Sequence, residues 1–156
     1  MKITLLVVGK TSSAEIKNIC SNYLKRINRY TKCEEMVIES VSQKITDKEK
    51  LKTKEGELIL KKIVPSDFLI LLDDKGKEMT SPLFAQFIEN QQNQSTKHLI
   101  FVVGGAYGFS ADVYARANSK LSLSKMTFSH QIVRAIFLEQ LYRAYSILHG
   151  EPYHHE

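Results

Sequence analysis

At 156 residues, with 43% hydrophobic and 25% charged side chains, the chain has the make-up of one soluble globular domain with room for a real core. No segment approaches the run of about 20 apolar residues that spans a bilayer, and two isolated cysteines exclude a disulfide framework. The formal charge, 22 − 17 = +5 with a pI near 9.1, favours a polyanionic partner such as nucleic acid without identifying one.

Residues 2–8 (KITLLVV) form a continuous apolar, β-branched run, as expected of a strand covered on both faces. The run is too short for a secretory signal. It passes into Gly9 and a helix start rather than a cleavage site, which points to a cytoplasmic protein with no membrane partner. Ser12 and Glu15 give a capping-box pattern. A helix follows with Ile16, Ile19, Cys20, Tyr23, Leu24 and Ile27 on one stripe and Lys17, Lys25, Arg26 and Arg29 on the other side. Those charges read either as a solvated face or as part of an RNA-binding surface. Cys20 and Cys33 have no metal or redox spacing and read as reduced core residues.

A second strand is expected over 35–41, then a polar, mobile loop over 42–50. Thr46 and Glu49 make a further capping box, and the helix it opens is stopped by Pro65. Residues 67–72 (DFLILL) are a third strand, followed by a charged loop over 73–80. Ser81 and Pro82 read as N-cap and first helical residue of a helix to about Gln92. Residues 98–103 (HLIFVV) are a fourth strand. It feeds Gly104, Gly105 and Gly108, then a helix capped by Ser110 with Asp112 in its first turn. Residues 121–123 are a fifth strand and 124–129 a polar loop. The last helix, 130–149, is apolar on nearly every side, so it needs cover on several sides, and a second copy of the chain is the cover expected. Strands alternating with helices predict a single α/β domain over residues 1–156, with a mostly parallel sheet and helices on both faces.

Ligands of such sheets bind beyond the carboxyl ends of the strands, where the loops after Leu72, Val103 and Leu123 lie. The glycine loop is neither a dinucleotide fingerprint nor a phosphate-binding P-loop. No Ser-His-Asp order, HExxH pattern or Cys/His cluster is present, so no metal is expected. Taken singly, His130 reads as a helix-start hydrogen-bonding residue. Arg143 reads as the i+4 ion-pair partner of Glu139, and His154 and His155 as solvated tail residues.

The combination says more. The loop Gly104-Gly105-x-x-Gly108 after a strand precedes the closing stretch LSLSKMTFSHQIVRAIFLEQLYRAYSILHGEPYHHE. With the opening MKI-x-LLVVGK, the Leu72-Asp73-x-x-Gly76-Lys77 loop and the Pro152-Tyr153-His154 tail, the chain resembles the RlmH family of large-subunit ribosomal RNA methyltransferases, in the SPOUT superfamily, over its whole length. The resemblance implies a C-terminal segment threaded into a deep trefoil knot, a homodimer, and S-adenosylmethionine bound among the three knot loops. It implies methylation of N3 of a pseudouridine in 23S rRNA of the assembled ribosome. Carried over, Leu72, Gly105, Leu123, Ser124, Lys125, Met126, Thr127 and Phe128 would line the cofactor site. Arg143, His130, Tyr153 and His154 are the catalytic candidates: Arg143 to steady the developing anion, His130 or His154 to take the proton, Tyr153 to hold the base. The tail would act on the partner's cofactor.

Two positions depart from the family pattern: Ser129 stands where relatives have Pro, and His155 where they carry Lys or Arg. The competing reading is a catalytically silent ribosome-binding dimer with the same fold. The intact glycine loop and the unbroken 123–128 stretch speak against it. A third reading, a generic nucleotide-binding α/β protein, lacks any phosphate-cradling motif.

Overall fold

The computed structural model describes residues 1–154. Five strands form one parallel sheet in the order β2-β1-β4-β3-β5. They are β1 Lys2–Val8, β2 Lys32–Ile38, β3 Phe68–Glu78, β4 His98–Val103 and β5 Ser119–Ser122. The helices are α1 Ala14–Ile27, α2 Lys48–Leu60, α3 Ser81–Asn93, α4 Ala111–Arg116 and α5 Ile132–Leu148.

Strand alternation divides the core into two layers. Ile3, Leu5 and Val7 of β1, with Leu99, Phe101 and Val103 of β4, face α1, α3 and α5. Leu6 and Val8, with Ile100, Val102, Leu69 and Leu71, face Ile59 of α2 and Val113 of α4. The expected α/β class, with helices on both faces, is what forms. The first layer is tied by aromatic contacts: Phe137 of α5 lies 4.6 Å from Phe101 and edge-on to Phe84 of α3.

Several local expectations shift. The N-caps are Ser13, Asp47 and Thr80, whose side chains accept from Ile16, Lys50 and Leu83; Ser12, Thr46 and Ser81 each stand one residue too early or too late. Where Ser12, Thr46 and Ser81 offered the motif, a neighbouring oxygen has the right extended backbone. Strand β2 begins three residues early, because Cys33 pairs in register with Ile3. Helix α2 ends at Leu60, short of Pro65.

The charged loop after Leu72 is in fact an excursion inside a longer β3. Leu72 and Lys77 both lie opposite Leu121, and residues 73–76 loop outward between them. Gly76 makes this possible, since a Cβ there would stand 2.6 Å from the Leu121 carbonyl carbon.

Part of the cover of α5 comes from its own chain. Helices α1 and α3 of the same chain flank it against the sheet, burying Phe137, Leu138, Leu141, Ala144 and Tyr145. Its outer residues Ile132, Val133, Ile136, Ile147 and Leu148 stay partly exposed. At its start, the Ser129 hydroxyl accepts the Ile132 N–H at 3.3 Å.

Candidate active site

Three loops leave the carboxyl edge of the sheet side by side: the excursion after Leu72, the glycine loop after Val103 and the segment after Ser122. They enclose a cleft of ≈ 540 Å³. Its walls include Leu72, Gly105, Leu123, Ser124, Met126, Thr127 and Phe128. Of the cofactor-site candidates Lys125 alone is not part of the wall; its side chain is exposed. His130 and Val133 complete the side nearest α5.

Each wall has a local reason for its shape. In the glycine loop the Gly108 N–H closes on the Gly105 carbonyl at 3.2 Å, and Gly108 adopts φ +80°, a region that favours glycine. Gly104 lies against the ring of Phe109, where a Cβ would come within 3.0 Å. In the 122–128 segment the Ser124 hydroxyl accepts the Met126 N–H at 2.9 Å, and Ser122 donates to the Ser124 carbonyl. In the first loop Asp73 accepts from the Tyr114 hydroxyl and from the Lys75 N–H. Burial pushes the Asp73 carboxyl up, but the bonds from Tyr114 and the Lys75 amide, with Lys120 nearby, outweigh it and hold the pKa low.

Arg134 fixes the cleft to the rest of the fold. It is fully buried, and sequence reading passed it over because an Arg among apolar neighbours carried no motif. Its guanidinium donates to the carbonyls of Val8, Gly9 and His130 and to Thr11 Oγ1, each at 2.9 Å. Gln131 adds a second tie, accepting the Ser12 N–H and donating to the Lys10 carbonyl.

A second cluster lies elsewhere on α5. Glu139 accepts Nε and Nη2 of Arg143 at 3.1 and 2.7 Å and the hydroxyl of Tyr153 at 3.1 Å. The Arg143 guanidinium also sits over the Tyr153 ring at 4.8 Å, with Nη1 3.5 Å from His154 Nδ1. The intrahelical ion pair therefore exists, and it is also the hub that gathers Arg143, Tyr153 and His154. The tail reaches it by folding back: the Glu151 N–H bonds the Ser146 carbonyl, and Tyr153 stacks edge-on to Tyr142 at 4.7 Å. Burial, with hydrogen bonds to Tyr23 and Glu139, pushes the Tyr153 phenol far up, so it stays protonated. His155 lies outside the described residues.

The structure thus divides the catalytic candidates. His130 lines the cleft, whereas Arg143 lies eleven residues beyond Ile132, about 16 Å along the helix axis. Glu139 was read from sequence only as the partner of Arg143, since its contact with the tail depends on the fold-back.

A profile described as "Predicted SPOUT methyltransferase" matches residues 1–154. The chain belongs to the SPOUT methyltransferase family. Among curated proteins, three "Ribosomal RNA large subunit methyltransferase H" relatives place it in the RlmH branch. That of Christiangramia forsetii is 50% identical, covering 99% of both chains. That of Parabacteroides distasonis is 50% identical over the full length of both. That of Cytophaga hutchinsonii is 48% identical, over 99% of this chain and all of the relative. Among the described residues there is no group of His, Cys, Asp and Glu that could hold a metal ion. No helix among them is long and apolar enough to cross a membrane.

Proposed function

We propose that this protein is an S-adenosylmethionine-dependent methyltransferase acting on N3 of a pseudouridine in 23S rRNA of the assembled ribosome, in the cytoplasm. The observation that carries the reading is the cleft itself: the excursion within β3 and the loops after β4 and β5 meet in one site in a chain of this family. The residues fit the methyl donor. The cleft has the size of a small-molecule site, apolar walls at Leu72, Leu123 and Phe128, and the glycine loop along one side. When bound, the donor supplies a sulfonium methyl that is already activated toward nucleophiles.

The chain's own task is to place a ring N–H and remove its proton. Arg143 offers a fixed positive charge for the developing anion, held in orientation by Glu139. Tyr153, locked as a phenol, holds the base by its ring and hydroxyl. His130 in the cleft and His154 beside Arg143 are the two proton acceptors within range of either cluster.

Because the cleft and the Arg143 cluster are far apart along α5, one chain does not bring them to a single reacting centre. A homodimer in which one tail faces the partner's cleft does so, and the partly exposed outer residues of α5 are suited to such packing. The C-terminal segment is taken to thread the trefoil knot of this family. Calorimetric titration of S-adenosylmethionine, with NAD and ATP as controls, tests the cofactor. Methyl transfer to ribosomes by wild type and Arg143→Ala then tests the chemistry. Absence of donor binding alongside ribosome co-sedimentation would favour the silent ribosome-binding reading instead.

A further inference from the structure

Behind the glycine loop lies a carboxylate that the reaction as described does not use. Glu55 of α2 is 5% exposed. No side chain or backbone donor among the described residues bonds it, and burial alone pushes its pKa up, with no neighbouring charge to offset it. Two lysines of the same helix pair with other carboxylates, Lys52 with Glu49 and Lys54 with Glu57. The carboxylate is pressed against the cleft wall: a Cβ on Gly105 would stand 2.4 Å from Oε2 and 2.9 Å from Oε1. Because Gly105 has no side chain, the carboxylate packs directly against the backbone of that cleft residue. Helix α2 is held in this position by Gly56, where a Cβ would stand 2.2 Å from Ser110 Oγ.

An unpaired buried carboxylate destabilises a fold unless a ligand completes it. The other acids at the cleft are already compensated: Asp73 by Tyr114 and the Lys75 amide, Asp74 by open solvent. Glu55 is the group left to respond to a cation in the cleft.

We infer that Glu55 is the specificity-determining residue that makes the cleft prefer a cationic methyl donor over its neutral thioether by-product. The inference rests on the proposed use of S-adenosylmethionine. During transfer the S–CH₃ bond breaks and an N–CH₃ bond forms. The sulfonium loses its positive charge, and the ring nitrogen's proton leaves to a base. Donor and by-product otherwise share every group, so a fixed negative charge in a poorly solvated wall distinguishes them by Coulomb attraction alone. The uncompensated charge is a cost in the empty protein and a gain only with the donor present. Loss of the attraction after transfer favours exchange of the by-product.

The test is calorimetric titration of S-adenosylmethionine and S-adenosylhomocysteine into wild type, Glu55→Gln and Glu55→Met, with thermal melts of each empty protein. The ratio of the two dissociation constants should shift against the donor by about tenfold in both variants, with by-product affinity nearly unchanged. Both variants should melt at or above the wild-type temperature, since each removes a buried unpaired charge. Equal weakening of both ligands, or a lowered melting temperature with an unchanged ratio, would show a merely structural Glu55 and overturn the inference. Wild-type protein that binds neither ligand would instead overturn the donor assignment, and the inference with it.

Discussion

The Nε of Arg134 donates to the carbonyl oxygen of His130 at 2.9 Å, so a fully buried cation fixes the backbone of an exposed cleft residue. The same guanidinium takes the carbonyl of Val8, which ends β1, and that of Gly9 just after it. Arg134→Met keeps the apolar stem and removes every donor, leaving three carbonyls short of a partner. It should cost about 3 kcal/mol in urea denaturation and weaken donor binding by about tenfold, since the wall carrying His130 loses its anchor.

Gly76 and Gly108 separate two reasons for glycine. A Cβ at Gly76 would collide with the Leu121 backbone, whereas one at Gly108 meets nothing within 4 Å and is strained only by its φ of +80°. Gly76→Ala should force β3 from β5 and lower stability by about 2–3 kcal/mol, against about 1 kcal/mol for Gly108→Ala. Equal losses in denaturation would refute the collision.

The Asp73–Tyr114 bond predicts a pH window. Asp73 is held below the ordinary carboxylate range, so its contribution is present above that range and disappears as pH falls through its lowered pKa. Burial, then the bond and charge of Asp73, push Tyr114 up to about 12 from 10.0. Its contribution is therefore complete below pH 10.0 and lost as pH rises toward 12. Tyr114→Phe should flatten both arms of the stability–pH curve, read from denaturant melts across the range.

Lys25 of α1, Arg29 in the turn that follows it and Lys32 at the start of β2 are exposed, and Arg26 is laid over the Tyr23 and Tyr142 rings. If this face meets rRNA, the double variant Lys25→Glu, Arg29→Glu should weaken ribosome co-sedimentation and reduce its salt dependence, with calorimetric donor affinity intact. A fall in donor affinity would sever the face from RNA recognition.

Burial raises the thiols of Cys20 and Cys33 to about 11 and about 12. Neither should react with iodoacetamide in the native protein at pH about 8, and both should react after unfolding, as read by mass spectrometry. Fast native labelling would mean that α1 opens from the sheet.

Strand and helix identity was written locally. The apolar runs of β1 and β4, the glycine break after Val103 and the apolar length of α5 each carry a period or a stop that the backbone must obey. Capping was legible only to within a residue, because Ser12 and Ser13 offer the same oxygen and backbone angle decides between them. Of the eight residues that the family resemblance assigns to the cofactor, seven line the cleft and Lys125 does not.

Three things waited on tertiary structure. The return of β3 to Leu121 after a four-residue excursion depends on a strand more than forty residues away. The gathering of Arg143, Tyr153 and His154 on Glu139 depends on the tail folding back over α5. The placing of Arg134 and Glu55, one fully bonded and one unbonded, depends on which segments surround them. Sequence determines what each residue offers within a turn or a strand, through covalent geometry and local hydrogen bonding. Whether a buried charge finds partners is decided by contacts between distant segments, which only the folded chain brings together.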